Sequence, residues 1–282
     1  MSALPNAAAA STAVSVERRF VDTPSGRIHV AIAGQGFPIL LLHQTPRSWD
    51  EYRDVLPLLG QGFQAIAMDT VGFGDSQPLP IEPQANTIER WAEAAFDLLD
   101  ALGIERAAFV GHHTGAVIAM EMAASRPSRA AALVLSSCPF VDAARRASHH
   151  GKRVIDEVEA TPSGAHLAEL WQRRQPFYPA GDIDLLQRFV ADALKCGAMA
   201  AEGHHVVGRY EMEHRIGRVA CPTLVIGAPD DPHAFPATPR VAQAIAGSTR
   251  VDIPGAMVPL PDQLPEAFAD AVSGFLSGLS TL

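Results

Sequence analysis

The sequence predicts an α/β domain with a mostly parallel, doubly wound sheet and a helical insertion. Short apolar runs such as Pro38–Leu42 and Gln64–Met68 are typical of strands buried on both faces. They alternate with segments of helical spacing, of which 87–102 is the clearest. Between about 140 and 215 helical patterns follow one another without strands. Alternating strands and helices predict a parallel sheet covered on both faces, and the block of helices predicts a cap.

The remaining elements are predicted in chain order. Two strands joined by a turn precede the apolar strands, and four more strands follow, at 19–23, 27–33, 107–110, 132–135, 223–226 and 249–253. Core helices are predicted at 49–59, 116–125, 239–246 and 265–276, and cap helices at 142–158, 164–174, 183–196 and 199–209. The predicted organisation is a flexible tail over 1–15, a core over 16–139 and 216–282, and a cap over 140–215.

Composition excludes several classes of protein. The 282 residues are 48% hydrophobic and 19% charged, which is typical of a globular domain with a full core. A net charge of −9 without a basic cluster argues against nucleic-acid binding, and no apolar run is long enough to span a membrane. Three widely separated cysteines and no convincing signal sequence indicate a cytoplasmic protein. We expect a small-molecule substrate as the partner, and oligomer formation stays open.

The most informative segment is Gly111-His112-His113-Thr114-Gly115. Small residues on both sides of a central residue allow a tight turn between a buried strand and a helix. Such a turn lifts the central side chain above the sheet, in front of the helix N-terminus. Here the central residue is His113.

With this motif the chain resembles the α/β-hydrolase family, in its capped branch of haloalkane dehalogenases, epoxide hydrolases and C–C hydrolases. The segment after the strand Pro38–Leu42, His43-Gln44-Thr45-Pro46, resembles the family's oxyanion loop. Asp69-Thr70-Val71-Gly72-Phe73-Gly74-Asp75-Ser76 resembles its D-x-x-G-x-G-x-S loop. The strand at 223–226 followed by Asp230-Asp231 resembles the element that carries the catalytic acid, and 253–268 the element that carries the histidine. The resemblance covers nearly the whole chain and implies the α/β-hydrolase fold.

The chain departs from the family at the residues that carry its chemistry. The elbow holds His113 where the family has Ser, Asp or Cys, and Val258 occupies the position of the family's histidine. Gln44 replaces the usual glycine of the oxyanion loop. A Ser–His–Asp triad therefore cannot be assembled from the usual positions, and dehalogenase chemistry, which needs a carboxylate at the elbow, is excluded.

The two substitutions compensate in volume, because the large residue is now at the elbow and the small one in the last loop. We expect the His113 ring to enter the space left by Val258 and to meet a carboxylate of the acid loop. Family spacing favours Asp230 as the partner, and counting back from Pro236 favours Asp231; we prefer Asp230. A carboxylate on one ring nitrogen fixes the tautomer and raises the basicity of the other nitrogen.

The resemblance also implies an oxyanion corner and a substrate pocket. The backbone N–H groups of Thr45 and Thr114 are the expected donors to an oxyanion. The expected pocket residues are Gln44, Trp171, Tyr178 and Val258. Neither a metal nor a cofactor is predicted, because the histidine pairs at 149–150 and 204–205 lack metal-ligand spacing.

Three functions follow from this site. The leading prediction is a cofactor-free hydrolase of a small, partly apolar ester, lactone or C–C carbonyl compound, with His113 as general base. A cofactor-free lyase or another proton-abstraction enzyme is the alternative within enzymes. The alternative from another class is a ligand-binding protein without turnover, in which His113 and Val258 are products of drift. A contact between His113 and a carboxylate favours catalysis, and a filled pocket favours the binding protein.

Overall fold

The computed structural model describes residues 14–280. Eight strands form one sheet: β1 Val16–Thr23, β2 Gly26–Ala33, β3 Pro38–Leu42, β4 Gln64–Met68, β5 Ala107–His112, β6 Ala130–Ser136, β7 Thr223–Gly227 and β8 Thr249–Asp252. The helices are α1 Val55–Leu59, α2 Ile88–Ala101, α3 Thr114–Ser125, α4 Ala143–His149, α5 Ala165–Arg174, α6 Ile183–Cys196, α7 Met199–Arg209, α8 Thr238–Ala244, α9 Leu260–Gln263 and α10 Pro265–Ser277. The predicted tail falls mostly on residues 1–13, which lie outside the described residues.

The sheet confirms the predicted α/β architecture. Its strand order is β1-β2-β4-β3-β5-β6-β7-β8, and every pairing from β4 to β8 is parallel, whereas β2 is antiparallel to both of its neighbours. Because parallel strands place their carboxyl ends at one edge, the loops after β3, β5 and β7 converge there. Those three loops carry the oxyanion segment, the elbow and the acid loop.

Apolar residues on the two faces of the sheet form two separate cores. Along β3, Leu40 and Leu42 pack into one cluster with α2 and α3, and Ile39 and Leu41 pack into the other with α1 and α10. This alternation follows from the two-residue period of a strand. A third cluster, which includes Leu170, Tyr178 and Phe189, lies within the cap. The apolar packing on both faces therefore holds the carboxyl edge of the sheet in place.

The cap consists of α4 to α7, which confirms the helical character predicted for that stretch. The first cap helix is shorter than expected, because it ends at His149 rather than near residue 158. Gly151 follows with φ 69°, in the left-handed region that ends helices, and the chain then turns without regular structure to α5. No helix within residues 14–280 is long and apolar enough to cross a membrane.

Ion pairs fix the cap to the core. The buried guanidinium of Arg47, in the loop after β3, contacts Asp192 of α6 at 2.9 Å and Asp262 of α9 at 2.5 Å. Arg188 of α6 contacts the same Asp262 at 2.7 Å. Breaking a buried pair leaves an uncompensated charge, so this network favours one placement of α6 over the sheet edge.

Candidate active site

The elbow places His113 in a strained backbone conformation. His113 has φ 47° and ψ −110°, a region that non-glycine residues rarely adopt, and it stands between the end of β5 and the first residue of α3. The flanking glycines permit the tight approach. A Cβ on Gly111 would lie 2.1 Å from the Gly115 carbonyl oxygen, and a Cβ on Gly115 would lie 1.8 Å from that of Leu42. Strain that persists at such a turn is typical of functional sites.

Gly115→Ala is expected to destabilise the protein by about 3 kcal/mol or more, because the added methyl group overlaps backbone that cannot move without separating α3 from β3. Gly274→Ala in α10 is the matched control, since its Cβ would meet nothing within 4 Å and alanine favours a helix. Urea unfolding of both variants measures the difference. Equal stabilities would mean that the elbow tolerates a looser contact than this structure has.

His113 meets a carboxylate of the acid loop. Its Nε2 lies 2.9 Å from Oδ2 of Asp231, although the N–H points off the line between them, so that neither atom has an aligned hydrogen-bond partner. Catalytic hydrogen bonds are often poorly aligned before substrate binds. The predicted approach of the ring to a carboxylate is therefore present, with Val258 buried beside it on the same cavity wall.

The preference for Asp230 as the partner is wrong. Asp230 is exposed, whereas the side chain of Asp231 is fully buried, in agreement with the count back from Pro236. The other oxygen of Asp231, Oδ1, accepts hydrogen bonds from the N–H groups of His233 at 2.9 Å and Ala234 at 3.2 Å. Burial acts to raise the pKa of Asp231, but the electrostatic interaction with His113 and the N–H of His233 outweigh burial and hold that pKa well below its ordinary value. Asp231 is therefore a fixed anion beside the elbow imidazole.

His112, next to the elbow residue, braces the last loop. Its Nδ1 lies 2.9 Å from the Ser136 hydroxyl, and its Nε2 lies 2.8 Å from the Val258 carbonyl oxygen. Burial, with a further contribution from His113, lowers the pKa of His112 to about 3, so this imidazole is neutral at working pH. With both nitrogens engaged, His112 has no lone pair to offer a substrate.

The burial of His112 predicts a pH-dependent stability. Its folded pKa lies below that of a free histidine, so its contribution is complete above about pH 6.5 and is lost as pH falls toward 3. Each pH unit in that window corresponds to about 1.4 kcal/mol. The stability advantage of the wild type over His112→Asn should therefore shrink by about 1 kcal/mol between pH 6.5 and 5.5, measured by urea unfolding. A constant difference would contradict the buried neutral state of His112.

The expected oxyanion corner lies beside the elbow. The Thr45 N–H donates to the Thr114 hydroxyl at 3.3 Å, so the two residues are neighbours. Thr114 is the first residue of α3, so its backbone N–H has no acceptor within the helix. Gln44 donates from its backbone at 2.9 Å and from its side chain at 2.6 Å to Glu51, whose pKa burial raises to about 8. Glu51 thus holds the shape of the loop that presents Thr45.

A cavity of about 650 Å³ lies between the elbow and the cap. Gln44, His113, Thr114 and Val258 line it, as the sequence predicts for Gln44 and Val258. The expectation for Trp171 and Tyr178 is wrong: neither lines this cavity, because both pack in the apolar cluster of the cap, with Tyr178 buried against Phe189. Sequence periodicity shows that an aromatic residue lies on an apolar helix face. It does not show whether that face packs inside the cap or lines the cavity.

The cap contributes a second imidazole–carboxylate pair that the sequence does not reveal. His204 of α7 lines the cavity, and its Nε2 lies 2.6 Å from Oδ2 of the buried Asp156. Arg174 is buried and binds the same carboxylate through two nitrogens. Residues 150–164 have no regular structure, so no periodic pattern in the sequence marks Asp156 as a buried residue.

Within residues 14–280, no group of potential metal ligands is found on the cavity wall. Among the described residues, the potential ligand atoms that come together are those of His29, Asp69 and Asp75, none of which lines the cavity. His29 and Asp69 bind each other at 2.9 Å, and Asp75 pairs with Arg18 and Lys195. This group is accounted for as an ion-pair network under the N-terminal strands.

The fold agrees with comparisons to known proteins. A family model described as alpha/beta hydrolase fold matches residues 38–256. The chain belongs to the α/β-hydrolase family. Putative carbamate hydrolase RutD of Klebsiella pneumoniae (strain 342) is similar at 31% identity over 202 residues, which are 68% of this chain and 73% of that protein.

Other relatives of this α/β-hydrolase match a shorter region. Epoxide hydrolase 3 of Siraitia grosvenorii is 37% identical over 127 residues, 45% of this chain, and the chain spans only 40% of that relative's length. Among solved structures, epoxide hydrolase A from Mycobacterium thermoresistibile has a TM-score of 0.78 at 23% identity, covering 95% of this chain and all of the other. The enol-lactonase from Burkholderia xenovorans LB400 has a TM-score of 0.75 at 21% identity, covering 92% and 100%. These structures support the fold alone.

Proposed function

We propose that the protein is a cofactor-free hydrolase of a small, partly apolar ester, lactone or C–C carbonyl compound, in which His113 is the general base. The observation that carries the proposal is the contact between His113 and Asp231 at the floor of an open cavity. The relatives named as hydrolases support the reaction class. A site retained without function would have no reason to keep a strained elbow, a buried anion behind its imidazole and an unfilled cavity.

The proposed reaction needs no covalent intermediate. Asp231 holds the proton on Nε2 of His113, so Nδ1 is the nitrogen that accepts a proton from water. The resulting hydroxide attacks the substrate carbonyl carbon, and the carbonyl electrons move to oxygen, where the N–H groups of Thr45 and Thr114 stabilise the negative charge. Asp231 stabilises the imidazolium that forms. The imidazolium returns the proton to the leaving group as the tetrahedral intermediate collapses, which restores the neutral base.

The proposal is tested by measuring ester hydrolysis together with covalent labelling by a serine-reactive probe. We expect the wild type to hydrolyse at least one member of a panel of nitrophenyl esters and lactones while a fluorophosphonate probe leaves it unmodified. The central elbow residue His113 has no hydroxyl, the Thr114 hydroxyl accepts the Thr45 N–H, and Ser136 and Ser137 are buried. Intact-protein mass spectrometry during turnover should show no acyl adduct. Stoichiometric labelling of a serine or threonine, or an accumulating acyl-enzyme, would replace the general-base route with a covalent one.

The second imidazole–carboxylate pair favours a lyase as the second candidate. Proton-abstraction reactions use a base and an acid on opposite sides of the substrate, and His204 faces the cavity from the cap while His113 faces it from the core. Turnover in D2O separates a lyase from ester or lactone hydrolysis: a lyase that protonates carbon would incorporate one solvent deuterium into a C–H bond of the product, whereas ester or lactone hydrolysis would incorporate none. Turnover in H2(18)O separates a lyase from C–C hydrolysis, because only hydrolysis places a solvent oxygen in the product acid.

A further inference from the structure

The cavity is lined by cationic and imidazole side chains, in a protein with a net charge of −9. Six of the chain's eleven histidines line it, together with four arginines, and no aspartate or glutamate is among the described lining residues. The arginines are Arg145, Arg146, Arg174 and Arg209. A cleft lined by one sign of charge focuses the field and attracts ligands of the opposite sign.

Three of the four arginines are already neutralised by carboxylates behind the cavity wall. Arg146 makes a bidentate pair with Glu213, at 2.6 and 2.8 Å. Arg209 pairs with Glu202 at 2.6 Å, and Arg174 pairs with the buried Asp156. These side chains are fixed by the protein itself and leave little charge for a ligand.

Arg145 differs from the other three. Within residues 14–280, no carboxylate lies within ion-pair distance of the Arg145 guanidinium. Among the same residues, Arg145 forms hydrogen bonds only through its backbone, such as the 2.8 Å bond from its N–H to the Asp142 carboxylate. The side chain is partly buried in the roof of the cavity, and burial lowers its pKa, an effect that the charges of Asp142 and Asp231 oppose. A partly desolvated guanidinium without a partner gains more from an anion than an exposed one does.

The position of Arg145 connects it to the reacting end of the cavity. Arg145 is close enough to Asp231 for that charge to affect its pKa. The pKa of His233 is lowered mainly by burial, and the charge of Arg145 lowers it further. Apolar residues line the wall between the cap and the elbow, namely Pro139, Val154, Ile155, Val207 and Val258. The cavity therefore offers an anion-binding group, an apolar surface and an imidazole base to a single small molecule.

We infer that Arg145 binds a carboxylate of the substrate, and that the substrate is an ester or lactone which carries a free carboxylate several bonds from the reacting carbonyl. This inference rests on the proposed hydrolase function and narrows its substrate class. The planar guanidinium matches a carboxylate through two parallel N–H···O bonds, which lysine cannot reproduce. One unpaired cation suits a singly charged group better than a phosphate dianion.

A pair of esters with equal acyl length tests the inference. Wild type should hydrolyse 4-nitrophenyl hydrogen adipate with a higher kcat/KM than 4-nitrophenyl hexanoate. Arg145→Gln should lower kcat/KM on the adipate half-ester about 10- to 100-fold, the range of one charged hydrogen-bonded contact, and change hexanoate hydrolysis less than threefold. Arg145→Lys should recover part of the loss. Arg153→Gln, on an exposed cap arginine that pairs with Glu169 outside the cavity, is the control and should leave both rates unchanged.

Binding to an inactive variant separates this inference from the proposed function. In His113→Gln, calorimetry should detect monomethyl adipate and not dimethyl adipate, and adding Arg145→Gln should abolish that binding. This result would sustain the anion site even if no ester were ever hydrolysed. Equal affinity for the two compounds, or equal losses on both nitrophenyl esters in Arg145→Gln, would overturn the assignment of Arg145.

Discussion

His113→Ser is expected to abolish turnover rather than create an ordinary serine hydrolase. General-base catalysis contributes about 10²- to 10⁴-fold, and the loss in kcat/KM should be at least of that order. The new hydroxyl would have no base beside it, because Val258 cannot accept a proton and both nitrogens of His112 are hydrogen-bonded to Ser136 and Val258. Initial rates on the best substrate of the ester panel measure the loss.

Adding Val258→His should restore part of the esterase activity. Val258 lines the cavity beside the elbow, and its carbonyl is held by His112, so a side chain at this position is directed by a fixed backbone. Hydroxyl, imidazole and buried carboxylate would then be present in the usual order. Near wild-type turnover in the His113→Ser single variant would contradict the role of His113. If His233→Gln then removed that turnover, His233 would be the base.

Asp231→Asn is expected to lower kcat/KM by at least about 100-fold while the protein stays folded. The asparagine oxygen can still accept the N–H groups of His233 and Ala234, which leaves the amide NH2 facing Nε2 of His113. Nε2 must then accept a hydrogen bond, the ring proton moves to Nδ1, and the nitrogen that should take a proton from water is blocked.

Asp230→Asn is the matched control for that variant. Its side chain is exposed, and its backbone N–H donates to Ala256 in both forms. We expect kcat/KM within about twofold of the wild type, since surface substitutions away from the site have small effects. A larger loss in Asp230→Asn than in Asp231→Asn would show that the loop rearranges in the working enzyme.

The sequence predicts the fold well because the physical signals for it are local. Buried strands such as β3 and β4 are continuous apolar runs, and the glycines of the elbow mark a turn that no other residue fits. The cap is predicted as helical, but the end of α4 depends on Gly151, whose left-handed conformation is specified by its surroundings as much as by its sequence. The element types are therefore predictable and their ends less so.

The sequence predicts which loops meet at the site, but it does not predict which of their side chains come into contact. The approach of His113 to the acid loop follows from the exchange of volume with Val258, yet the choice between Asp230 and Asp231 depends on which end of the loop the spacing is counted from. Tyr178 and Arg174 show the same limit. Both lie on buried faces of the cap, and packing decides that one joins the apolar cluster and the other binds Asp156.

A double-mutant cycle of His113→Gln and Asp231→Asn tests the central claim most directly. If the carboxylate acts only through the imidazole, the double variant should be no slower than His113→Gln alone, because the second substitution removes a partner that has nothing left to orient. The measurement is kcat/KM for the four proteins on one substrate. Losses that multiply, so that the double variant is slower than His113→Gln by the full factor of Asp231→Asn, would contradict the dyad.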